Sequence, residues 1–137
     1  MDVIEIERAF TAWLAEKLNL AVDDGIYRGS IPQGVDYGVG VIFGSEVKAA
    51  GFYGFRPRTW NVQILAKFDE RDPALVLQSC LNMLVPQTEF VYNGVRVLSV
   101  TANGSGEPYT AEDDGKVKHF VSVNWVVSVL TSGPQTV

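Results

Sequence analysis

Between Thr59 and Phe68 every second residue is apolar, Trp60, Val62, Ile64, Ala66 and Phe68 alternating with partners that include Asn61, Gln63 and Lys67. A period of two over ten residues predicts a strand with one face buried. The charged run Asp69-Glu70-Arg71-Asp72 follows, in which Asp72 is placed to cap free backbone N–H groups and Pro73 to occupy the first helical position. Leu77, Cys80, Leu81 and Leu84 then recur at the helical period, predicting a helix over Asp72 to Leu84. A strand joined by one turn to an amphipathic helix makes Arg58 to Val85 the centre of an α+β domain.

The remaining elements are expected around it. Asp2 and Glu5 form a capping-box pattern, and Val3, Ile6, Phe10, Trp13, Leu14 and Leu18 mark a helix ending near Leu20 that should pack on the sheet. Asp23-Asp24-Gly25 reads as a turn, and Ile26 to Arg28 as a short edge strand before Pro32. Eight of the thirteen glycines lie between Gly25 and Gly54, so the strand expected over Tyr37 to Phe43 is rich in turning backbone on both sides. Asn93-Gly94 between Phe90-Val91-Tyr92 and Val95-Arg96-Val97 predicts a hairpin with a two-residue turn, its second strand running on to Asn103. Gly104 to Gly115 combines Gly, Ser, Pro and four acidic residues without periodicity and is read as a long mobile loop. Lys118 to Leu130 alternates Val121, Val123, Trp125, Val127 and Val129 with polar partners and reads as a long closing strand. The chain is thus expected to be one domain over 1–130, with 131–137 as a loose tail.

Composition narrows the function classes. A formal net charge of −5 disfavours a surface built to grip phosphates. An acidic lining could still let nucleic acid slide past without sticking. No apolar run reaches membrane-spanning length and the first residues are acidic, so the protein is expected to be soluble and intracellular. The single cysteine, Cys80, excludes an intrachain disulfide and is expected to be a small core residue.

The search for chemistry along the chain finds little. Neither phosphate-loop pattern occurs, and Gly38-Val39-Gly40 alone is too common to count. Glu112-Asp113-Asp114-Gly115 suggests a calcium loop, but Thr110 would be its first ligand and Val121 would stand where a bidentate Glu belongs. One Cys and one His cannot furnish a zinc site. His119 opens the closing strand and reads as structural, while Ser79 and Ser122 lack a nucleophile-elbow context. The carboxylate pairs Asp23-Asp24 and Asp69-Glu70 coincide with turns that need Asp for backbone reasons. No metal, cofactor or catalytic set is therefore expected, a carboxylate-only enzyme being the reading left open. Phe52, Tyr53 and Phe55, set among glycines with Lys48, Arg56 and Arg58, form either a loop folded over the core or an exposed contact surface.

The order of these elements, together with Trp60-Asn61-Val62-Gln63-Ile64, the helix Asp72 to Leu84, and Glu107-Pro108-Tyr109 leading through Asp113-Asp114-Gly115 into His119-Phe120-Val121-Ser122-Val123, resembles the tail terminator and minor capsid proteins of long-tailed bacteriophages. The likeness covers most of Leu14 to Leu130. It implies a small α+β protomer, with two helices packed on one face of a mostly antiparallel sheet, in a hexameric ring. Such a ring caps the tail tube, joins tail to head through the connector proteins and lets DNA pass unbound, so the protein would reside in the virion, assembled in the bacterial cytoplasm. The aromatic segment Gly51 to Arg58 departs from the family pattern. Functional residues in such a protein are interface residues, and the candidates here are Phe52, Tyr53, Phe55, Arg56, Arg58, Tyr109, Glu112, Asp113 and Asp114. A neighbouring head–tail connector, or a binding module with a pocket walled by Trp60 and Trp125, are the other classes these elements allow.

Overall fold

A computed structural model describes residues 2–47 and 57–130. Helix α1 (Val3–Leu18) is followed by β1 (Ala21–Val22), β2 (Gly25–Arg28), β3 (Gly38–Val47) and β4 (Pro57–Phe68). Helix α2 (Arg71–Leu84), β5 (Phe90–Tyr92), β6 (Val95–Ser105), β7 (Tyr109–Asp113) and β8 (Lys116–Leu130) complete the chain. The fold is α+β, a mostly antiparallel sheet ordered β1-β2-β3-β4-β8-β6-β5 with β7 also paired to β8.

The two strongest alternating segments pair with each other at the middle of this sheet. The register Ala66↔Val121, Ile64↔Val123, Val62↔Trp125 and Trp60↔Val127 brings their apolar positions onto one face. These side chains are all buried. Both helices cover that face, α1 with Ile6, Phe10, Trp13 and Leu14, and α2 with Ala74 and Leu81. Phe10 meets Trp125 edge-on at 6.2 Å between ring centroids and Phe43 at 5.8 Å, and Trp13 stacks on Phe90 at 4.8 Å. Aromatic edges and offset stacks of this kind add to simple burial.

The ends of α1 follow local chemistry. The Asp2 carboxylate accepts the Glu5 backbone N–H at 2.9 Å, and Asn19 takes the left-handed conformation at φ 57 that ends the helix. The hairpin turn is also as expected, with Asn93 and Gly94 both at positive φ and Tyr92 opposite Val95. Gly40 serves packing: a Cβ there would lie 2.7 Å from the Gly29 carbonyl oxygen, which approaches it as the chain passes over the outer face of β3.

Four expectations are corrected. Helix α2 starts one residue early, at Arg71, with Glu70 as an N-cap that makes no side-chain bond, so Asp72 caps nothing. Pro73 sits third in the helix, where its missing N–H is still harmless because the first turn's donors have no intrahelical partner. Cys80 is exposed, because the packing line runs through Ala74, Leu81 and Leu84 and leaves position 80 about 100° round the helix. Strand β2, expected at an edge, lies between β1 and β3 and pairs with β3 in parallel. The stretch expected as a long loop over Gly104 to Gly115 is instead the end of β6, a short link and β7. The aromatic segment centred on Phe52, Tyr53 and Phe55, and the tail at 131–137, lie outside the described residues.

Truncating Ile64 to Ala should lower unfolding stability by about 2–5 kcal/mol, because the methylenes removed leave a void between β4, β8 and the helices. Denaturant titration with unchanged slope and a lower midpoint is the expected result.

Candidate assembly surfaces

Among the described residues, the arm formed by β7 and the start of β8 is exposed over most of its length. Asp114 and Gly115 both adopt positive φ and close a two-residue turn between Asp113 and Lys116. Pairing of β4 with β8 stops at Phe68↔His119, so the tip runs about 10 Å beyond the end of β4, three residues at strand rise. Residues Tyr109, Glu112, Asp114, Lys116 and Val117 of the arm are exposed. The outer edge of β7 has no strand partner among the described residues.

What holds this arm in place lies at its root. Tyr109 stacks on Phe120 at 5.1 Å with the rings 8° from parallel. Lys67, only 3% exposed, extends from the polar side of β4 to Asp113 at 2.5 Å. Lys118, 2% exposed, donates to the carboxylate of Asp69 and, at 3.1 Å, to the backbone carbonyl of Asp36. A second contact at 3.6 Å reaches the Asp36 carboxylate. A buried ammonium needs such partners, since stranding it would cost far more than a surface ion pair returns. The hydrogen bond from Lys118 holds the Asp69 carboxyl below its ordinary value, and the same bond raises the Lys118 ammonium above its own.

The sequence candidates separate into two groups. Tyr109, Glu112, Asp113 and Asp114 belong to the arm, where Asp113 reaches Lys67, Tyr109 stacks on Phe120, and Glu112 and Asp114 are exposed. Arg58 lies at the far end of the sheet, opposite Val129, where its guanidinium pairs with Glu46 through bonds of 2.7 and 3.1 Å and sits 4.8 Å over the Trp60 ring. Phe52, Tyr53, Phe55 and Arg56 lie outside the described residues. Lys67 and Lys118 were not legible as anchors. Lys67 stands between Ala66 and Phe68, and Lys118 is out of phase with Val121 and Val123, both as solvent-facing residues would be, and the carboxylates supplied by distant segments explain their burial.

For chemistry the surroundings offer little. His119 is half-buried between Phe68 and Thr110 and lines a small cleft of about 120 Å³ with Arg71, Ala74, Leu75 and Tyr109. Among the described residues no carboxylate lines this cleft with it. Trp60 and Trp125 pack inside the core and do not wall this cleft. Among the described residues no three His, Cys, Asp or Glu side chains gather as metal ligands, and no helix is long and apolar enough to cross a membrane. No protein-family model and no curated protein matches the sequence.

The Lys118–Asp69 pair has a defined pH signature. Because the Asp69 carboxyl is held low in the fold, its contribution is complete above the ordinary carboxylate value and is lost as pH falls through the lowered one. The raised Lys118 ammonium contributes below its ordinary value and is lost as pH rises past the raised one. Asp69→Asn should therefore flatten the acid limb of a stability–pH curve below about pH 5, measured by denaturant midpoints, relative to the unmodified protein.

Proposed function

We propose that this protein is a structural subunit of a phage or prophage virion, a tail terminator that forms a ring on the tail tube and joins tail to head. The observation that carries the reading is that two unlike patches, the exposed acidic arm and the sheet end that carries Arg58, stand apart on the protomer. Arg58 pairs opposite Val129 and the arm's turn ends at Lys116, so the two patches are separated by about 40 Å along β8 at strand rise. Two unlike patches set apart on the protomer suit a head-to-tail contact in which one patch meets a different patch on the next copy, and such contacts form a ring where the rotation between copies closes.

The sequence resemblance gives six as the expected number of subunits, and the tail tube protein and head–tail connectors as neighbours. An overall charge of −5 keeps a channel lined by such subunits from binding DNA phosphates, so that the genome passes through. Free protomers are expected to associate weakly and in a concentration-dependent way, with the tube end serving as template.

Electron microscopy of the concentrated protein should show rings, and tails assembled without it should vary in length and fail to join heads. Tails of uniform length that join heads in its absence would refute the terminator role.

A further inference from the structure

A cleft of about 380 Å³ lies between α1 and the β1–β2 turn, lined by Arg8, Thr11 and Ala12 from the helix and by Val22, Asp23 and Arg28 from the sheet edge. Its two arginines are exposed and make no ion pair or hydrogen bond with any described residue. Thr11 is 1% exposed, and its Oγ1 is buried without a hydrogen-bond partner. Two guanidinium groups without an ion pair among the described residues, in a cleft whose lining includes Thr11, make a donor set for an oxyanion.

The chain carries matching acceptors on its opposite edge. Glu112 and Asp114 stand exposed on the arm, without an ion pair among the described residues, whereas Asp113 beside them is taken by Lys67. The strand order sets β2 and β7 on opposite sides of β3, β4 and β8, roughly 20 Å apart at sheet spacing. The two groups cannot meet within one chain. We infer that the arm of one copy seats Glu112 and Asp114 in the Arg8–Arg28 cleft of the next, an inference that rests on the ring reading and names its contact. Asp23, also in the cleft, opposes a second carboxylate and limits how deeply the arm enters. Bidentate guanidinium–carboxylate bonds supply orientation as well as attraction.

The test reverses charge on each side of the contact and then on both, with association measured by sedimentation velocity and folding checked by circular dichroism. Arg8→Glu with Arg28→Glu, and separately Glu112→Arg with Asp114→Arg, should each weaken association at least about tenfold, as loss of close interfacial charge pairs does. The combined fourfold variant should recover most of it. The arm reversal brings the net charge of −5 nearer to zero, so if bulk repulsion alone governed association that variant would associate more tightly. A combined variant as weak as the one-sided ones, in rings that otherwise form, overturns the contact and leaves the ring reading standing. Because free rings can be weak, a Cys80→Ser background carrying Asp114→Cys is mixed with one carrying Arg28→Cys. Preferential mixed disulfides support the contact, and their absence overturns it. Binding of inorganic phosphate that is abolished by Arg8→Glu with Arg28→Glu, while association ignores both reversals, overturns it in favour of a small-anion site. Absence of any association or cross-link in every variant and in the unmodified protein, together with the absence of rings on assembled tails, refutes the ring itself.

Discussion

Every residue of β4 is paired to β8, and the rest of the molecule depends on that one register. Slipping it by a single residue would turn Trp60, Val62, Ile64 and Ala66 toward solvent and bury Asn61 and Gln63, so the alternation in both strands admits one alignment. The two helices are then placed by what this face presents. Phe10 fits against Trp125, and Leu81 closes the other half of the core. Among the described residues, no helix covers the opposite face. It is covered where the chain through Ile31 crosses Gly38 and Gly40, and polar where Asn61, Gln63, Asn103 and Asn124 line an open depression.

Much of this was legible because it is local. Period-two alternation, the helical stripe of α1, the Asp2 cap and the Asn93-Gly94 turn are each set by neighbours a few residues away. The misread parts are those decided at long range. Gly104 to Gly115 has a loop's composition, yet β8 offers it a free edge, Tyr109 a ring to lie on at Phe120, and Asp113 a buried lysine. Cys80 was misplaced because one apolar residue too many fits a helical wheel, and only the sheet beneath decides which stripe is used. The parallel pairing of β2 with β3 leaves no mark in residue type at all.

The candidate contact surface was legible in kind and partly in position. An acidic turn next to Tyr109 is visible in any reading of the sequence, and it proves to be the tip of an exposed arm. The basic cleft was not visible, because Arg8 and Arg28 are twenty residues apart on elements of different type and neither has an unusual neighbour. Their significance comes from what they lack, an ion pair with any described residue, in a chain where acids outnumber bases. Arg58 illustrates the contrast. Conspicuous in sequence beside the aromatic segment, it is already satisfied by Glu46 and Trp60.

The arm and the core share β8, and this has a mechanical consequence. A pull on the tip directed along that strand loads the β4–β8 ladder in shear, so that its hydrogen bonds resist together instead of parting one after another as in peeling. The ladder crosses the best-packed part of the molecule, and sliding it would also drag Val123, Trp125 and Val127 through the side chains above them. Force entering at Asp114 along the strand is therefore delivered to the β4–β8 ladder, while a pull across the arm meets the short β7 pairing, the Tyr109–Phe120 stack and the two lysines at its root. The protomer is stiff along one axis and compliant across it.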